Sequence, residues 1–203
     1  MKIILHLCAD IGSDTLVYAK NGYQIIKVGK EIGVENFSTT KKIHGIIANP
    51  VCTEFSFAKW ANNSGNGDHE KGLFLVLHCQ RIIEECSPAW FVIENPATGR
   101  LKEFLGKPDF TYEPWHFGDP WTKKTALWGS FTKPHRLFEN WDDVPKIPEL
   151  YIRPNRTKPS LAFLHKSAKK HIRAFDGIDV DNDMSFRSLC SQRFANEFFK
   201  VNR

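Results

Sequence analysis

The sequence predicts an α/β protein with an open, mostly parallel sheet and helices on both faces. Three observations predict it. Short apolar runs alternate with helical patterns through the first three quarters of the chain, the rhythm of strands joined by crossover connections. A length of 203 residues is enough to bury one substantial core, and nothing in the composition suggests disorder, a repeat or a fibre. Two of the apolar runs lead directly into polar segments, Asn49-Pro50-Val51-Cys52-Thr53-Glu54-Phe55-Ser56 and Glu94-Asn95-Pro96. These deliver a thiol and a carboxylate to the carboxyl ends of two strands, where open α/β sheets bind their ligands.

The elements follow in order. Residues Ile3 to Cys8 read as a first strand; the run is far too short to span a membrane, and Asp10 and Asp14 follow it at once, so neither an anchor nor a signal peptide is expected. Further strands are expected at Tyr23 to Val28, Ile43 to Ala48, Trp90 to Glu94 and Phe110 to Trp115. The clearest helix runs from Glu70 to Glu85, where Leu75, Val76, Cys79, Ile82, Ile83 and Cys86 form one apolar stripe that makes both cysteines core thiols. Ahead of it, Ala61 to Asp68 is small and polar throughout and predicts a mobile loop able to close over the Cys52 region. Beyond Gly129 the pattern gives way to a stretch punctuated by Pro134, Pro145, Pro148, Pro154 and Pro159. Periodicity returns at Arg187 to Asn202, with Phe194, Ala195, Phe198 and Val201 on one helical face. The expectation is one domain over residues 1–203, with 130–184 as a basic, proline-rich insertion.

Charge and cysteine content narrow the setting. The formal charge is +5, yet Lys133 to Arg173 alone holds ten Lys or Arg against four Asp or Glu, a local excess of +6. Such a segment suits contacts to phosphate, although a solvated basic loop has the same composition. Five cysteines in no paired spacing fit free thiols in a reducing cytoplasm. Asp176, Asp179, Asp181 and Asp183 lack the glycine and glutamate placement of a calcium loop and read as a solvated acidic turn, so no metal is expected.

Cys52 falls where a strand end meets a helix start, and backbone N–H groups there stabilise a thiolate. Pro50 stiffens the approach, while Thr53 and Ser56 add polar groups. Packing beside Phe55 and Phe57 is the plain alternative for such a thiol. Glu94 closes an apolar strand, where a partly desolvated acid can be built; a turn carboxylate before Pro96 is the alternative.

Pro50-Val51-Cys52 resembles the Pro-Cys nucleophile motif of the DNA cytosine-5 methyltransferases, and Glu94-Asn95-Pro96 resembles their Glu-Asn-Val/Pro motif. The resemblance is strongest to short, phage-encoded members, which also show a segment similar to Phe117-Gly118-Asp119-Pro120-Trp121-Thr122-Lys123-Lys124. It implies a Rossmann-like methyltransferase fold, S-adenosyl-L-methionine as methyl donor, DNA as partner, and a cytoplasmic setting in a bacterial or phage-infected cell. Cys52 would attack carbon 6 of a flipped-out cytosine, and Glu94 would act on ring nitrogen 3. Pro50, Thr53, Ser56, Asn95, Lys123 and Lys124 would contact the substrate; Cys8, Asp10, Gly12, Glu31, Asn49 and Pro50 would line the cofactor site. The chain departs from the family where Asp10 replaces a glycine of the first turn, and where Gly29-Lys30 follows the second strand and leaves Glu31 as the nearest acid. The basic stretch is too short for elaborate base readout, so a relaxed or single-stranded preference is expected, with Trp141, Tyr151 or Phe163 available to stack on bases. Two other readings keep the fold: a non-catalytic nucleic-acid-binding homologue, and pyrimidine modification with another one-carbon donor or a nucleotide substrate.

Overall fold

The computed structural model describes residues 1–9, 11–55 and 69–203. The chain divides into two compact units, Met1–Thr111 with Thr125–Phe131, and Tyr112–Lys124 with Thr132–Arg203.

Six strands form one sheet in the order β2-β1-β3-β4-β6-β5: β1 Ile3–Leu7, β2 Gln24–Val28, β3 Gly45–Ala48, β4 Trp90–Pro96, β5 Phe110–Tyr112 and β6 Thr125–Ser130. β2, β1, β3 and β4 are parallel neighbours, and β6 runs antiparallel beside β4. This is the Rossmann-like arrangement expected. Its central strands are buried on both faces, which is why they read as continuous apolar runs: Ile4, Leu5, Ile46 and Ala48 are all fully enclosed.

α1 (Leu16–Lys20) returns the chain from β1 to β2, and α2 (His69–Cys86) returns it to β4. Val76, Cys79, Ile82 and Ile83 on α2 join Leu5, Leu7, Val28 and Phe55 in the core, whereas Cys86 at the last turn is only half-buried. The helix stops at Ser87, whose φ of 41° is left-handed and whose N–H donates to the Ile83 carbonyl; Pro88 then prevents continuation. α3 (Lys102–Leu105) follows β4.

Three expectations need correcting. The strand expected at Phe110 to Trp115 ends at Tyr112, because Pro114 opens a 3-10 turn, Pro114–Phe117, capped by Glu113 and His116 reciprocally. β6 was not foreseen, and its pairing with β4 carries that strand past Glu94 to Pro96. The last helix is two: α4 (Asp183–Ser188), capped by Asn182, and α5 (Gln192–Val201), capped by the Ser191 hydroxyl that accepts from Phe194 N–H at 3.0 Å.

The second unit is built around Phe117, Trp121, Phe175, Phe186 and Phe194. Tyr112 stacks on Phe194 with ring centroids 3.8 Å apart, and Trp121 lies against Phe175 at 5.5 Å. Asp119, 1% exposed, accepts from Ser191 Oγ at 2.6 Å and pairs with Arg193 Nε at 3.4 Å. Burial nevertheless pushes its pKa up to about 6, against the lowering effect of Ser191 and Arg193. A carboxyl raised in the folded state stabilises the fold while protonated and loses that contribution as pH rises from its ordinary value of 3.8 to about 6. We expect the difference in unfolding free energy between Asp119→Asn and the native protein, followed through Tm, to shift in favour of the variant across that window by on the order of 2 to 3 kcal/mol and then to level off. A pH-independent offset between the two melting curves would contradict this.

No described helix is long and apolar enough to cross a membrane.

Candidate active site

β3 and β4 are paired in parallel with Ala48 opposite Ile93, so the segments that follow emerge side by side at their carboxyl ends. Asn49 and Pro50 leave β3, and Cys52 begins a 3-10 turn, Cys52–Phe55, with Thr53 as its second residue. Cys52 is half-buried and is not in a disulfide. The segment is tied to β4 and to the loop after it: Asn95 Nδ2 donates to the Pro50 carbonyl at 2.9 Å, and Arg100 N–H donates to the Phe55 carbonyl at 3.0 Å. Phe55 is fully enclosed and Asn95 is 1% exposed, so these ties are shielded from water. Asn95 Oδ1 has no hydrogen-bond partner among the described residues.

Glu94 projects from β4 half-buried, and its Oε2 accepts from Asn49 Nδ2 at 3.1 Å. The same amide nitrogen lies 3.5 Å from Asp14 Oδ1, while Asn49 Oδ1 is 2.7 Å from His6 Nε2. His6 is 2% exposed, and its Nδ1 is 3.3 Å from Thr15 Oγ1. A chain of polar groups therefore links β1, the residue after β3, and β4, and reaches the Glu94 carboxylate. The sequence reading included Asn49 but missed His6, Asp14 and Thr15. The available signal was a histidine inside an otherwise apolar strand, which needs a buried partner.

After β1 the backbone turns back through two left-handed residues, Cys8 at φ 54° and Gly12 at φ 78°. Gly12 leads into the turn Ser13–Thr15. The Cys8 Sγ lies 3.8 Å from that of buried Cys79, which raises the Cys79 pKa through their hydrogen bond and through burial. Gly29 approaches the Ala9 carbonyl so closely that a Cβ would sit 2.9 Å from its oxygen. A side chain there would push the ends of β1 and β2 apart. Glu31, two residues on, is exposed. Asp10, Ser56 and the loop expected at Ala61 to Asp68 lie outside the described residues.

Lys123 and Lys124 belong to the second unit. The Lys123 ammonium donates to the carbonyls of Ser188 and Leu189 at 3.0 and 2.9 Å, where α4 ends, and its backbone N–H donates to Glu113 at 2.8 Å. Lys124 is exposed. In Phe117 to Lys124, then, Phe117, Asp119, Trp121 and Lys123 hold the second unit together, which a motif reading alone does not reveal. Of the three aromatics expected to meet bases, Tyr151 is 58% and Phe163 50% exposed, with the Arg153 guanidinium 3.9 Å from the Phe163 ring centroid. Trp141 is covered by Lys146 and Lys158, at 4.3 and 5.1 Å.

No family model matches the chain. Over 92 residues it is 34% identical to the "Probable DNA (cytosine-5)-methyltransferase" of Frog virus 3 (isolate Goorha), a match covering 40% of this chain and 43% of the relative, so the chain spans less than half of that protein. Among solved structures, a DNA modification methyltransferase encoded within a prophage (E. coli) superposes with a TM-score of 0.42 at 17% identity, over 64% of this chain and 47% of the other. Over those 92 residues the chain is similar to a protein of that name, and its strand order is that of a Rossmann-like sheet.

Proposed function

We propose that the protein methylates carbon 5 of cytosine in DNA, with Cys52 as covalent nucleophile and Glu94 as the acid that acts on the base. The observation that carries this reading is the pairing of β3 with β4, which sets the Asn49 to Cys52 segment beside Glu94-Asn95-Pro96. In the reaction the Cys52 sulfur forms a bond to carbon 6 while Glu94 hydrogen-bonds or protonates nitrogen 3, leaving carbon 5 electron-rich. S-adenosylmethionine, when bound, supplies the methyl group that carbon 5 takes up. Loss of the carbon 5 proton to solvent then restores the 5,6 double bond as the sulfur–carbon bond breaks, and nitrogen 3 gives its proton back to Glu94, which regenerates the thiolate and the acid.

The residues after β1 and β2 fit such a donor. The close approach of Gly29 to Ala9 explains why no acid stands at that position, and the exposed Glu31 offers a carboxylate for ribose hydroxyls. Cys8, Gly12, Asn49 and Pro50 would line the remainder. On the DNA side, support comes from the basic excess between Lys133 and Arg173, the exposed Lys124, and the exposed rings of Tyr151 and Phe163, which suit phosphate contacts and base stacking. Ring stacking on unpaired bases makes a single-stranded or relaxed substrate the favoured form.

The test is to incubate the protein with isotope-labelled S-adenosylmethionine and pools of single- and double-stranded oligonucleotides of random sequence, then digest them and assay nucleosides by mass spectrometry. Labelled 5-methylcytosine is the expected product. Salt-sensitive binding of both pools without any labelled nucleoside would sink the enzymatic reading.

A further inference from the structure

The orientation of the Asn49 amide decides whether it donates to Glu94, and its neighbours leave one choice. Nδ2 lies 3.1 Å from Glu94 Oε2 and 3.5 Å from Asp14 Oδ1. Glu94 Oε2 and Asp14 Oδ1 accept here, so the amide nitrogen faces them and Oδ1 turns toward β1. There it meets His6 Nε2 at 2.7 Å, a distance that two acceptors would not hold, so Nε2 carries a proton and donates. Turning the amide over would set its NH2 group against that N–H and its oxygen against two carboxylates. His6 is itself held in place: it is 2% exposed on a central strand, with Nδ1 3.3 Å from Thr15 Oγ1, a hydroxyl that can donate to Nδ1 when Nε2 carries the proton.

We propose that His6 is a positioning residue for Glu94: its Nε2–H selects the Asn49 orientation that donates to the carboxylate and so aims Glu94 at the base. The inference rests on the reading of Glu94 as the acid that meets nitrogen 3. His6 itself touches neither base nor donor; its effect passes through Asn49.

Two measurements on the full chain test it. By NMR, the Asn49 side-chain NH2 protons should be dispersed and slow to exchange in the native protein, fast in His6→Leu, and slow again in His6→Gln, whose amide N–H reaches the same oxygen. In single-turnover methyl transfer at saturating donor, His6→Leu should slow the reaction by roughly tenfold with DNA affinity unchanged. His6→Gln should recover to within about threefold, and His6→Leu combined with Asn49→Ala should be no slower than Asn49→Ala alone. Should His6→Leu not fold, His6→Asn, too short to reach Asn49, takes its place. Unaltered Asn49 signals in the variant that loses the donor overturn the proposal, as do rate losses that multiply in the double variant. If the native protein transfers no methyl group at all, the proposed function fails while the NMR comparison still decides the part played by His6.

Discussion

Replacing Cys52 with alanine should abolish covalent capture of a cytosine analogue. With 5-fluorocytosine in the oligonucleotide, carbon 5 carries fluorine instead of the proton whose loss releases the enzyme, so the thioether to carbon 6 persists. The native protein should therefore gain the mass of the oligonucleotide plus one methyl group, and Cys52→Ala should gain nothing. Turnover on ordinary cytosine should fall by roughly 10³-fold or more, since removing a covalent nucleophile leaves only binding and the remaining acid. The other four cysteines are poor substitutes. Cys79 and Cys190 are buried, Cys86 ends α2 with its pKa raised by burial and Glu85, and Cys8 lies against Cys79. An adduct of equal yield in Cys52→Ala would place the nucleophile elsewhere and falsify the assignment.

The largest effect on stability is expected at Gly129, in β6. Its φ of 147° lies in a region that other residues rarely adopt, and a Cβ built there would stand 2.3 Å from the Phe91 carbonyl oxygen and 3.0 Å from its carbon. These are backbone atoms of β4, so no side-chain rotation relieves the clash. Gly129 N–H also donates to Asp109 Oδ2 at 2.9 Å, which fixes the residue from its other side. Gly129→Ala would have to part β6 from β4, the strand that carries Glu94 and Asn95. A cost of roughly 3 to 5 kcal/mol follows from combined overpacking and backbone strain, a fall in Tm on the order of 10 °C for a chain of this size. A variant melting within about 2 °C of the native protein would show that β6 adjusts freely.

β1, β3 and β4 were legible because their apolar runs are largely buried on both faces, which leaves a local signature, whereas β2, at the sheet edge with Lys27 exposed, was legible from Ile25, Ile26 and Val28. β6 left none that stood out. Thr125–Ser130 is interrupted by Gly129, and it becomes a strand by pairing with residues 29 to 39 positions earlier in the chain. The break between α4 and α5 was hidden for a related reason. The apolar spacing of Phe194, Ala195 and Phe198 continues a helical pattern, but Lys123 takes the carbonyls of Ser188 and Leu189 from 65 and 66 residues away. Ser191 then restarts the helix as its cap.

The candidate site divides along the same line. By itself the sequence determined the kinds of groups present and their place at strand ends: a thiol after β3, a carboxylate on β4, an amide on either side, and a basic stretch with aromatic residues. These are properties of short segments, in which a residue's neighbours along the chain set its environment. Only the tertiary structure decided which groups touch. The register of three parallel strands joins His6 to Asn49 across 43 positions and Asn49 to Glu94 across 45, and the packing of the second unit draws Lys123 into a structural bond while leaving Lys124 exposed. Hydrogen bonds act over about 3 Å, and separations that small between distant residues arise only once the sheet and its core have formed.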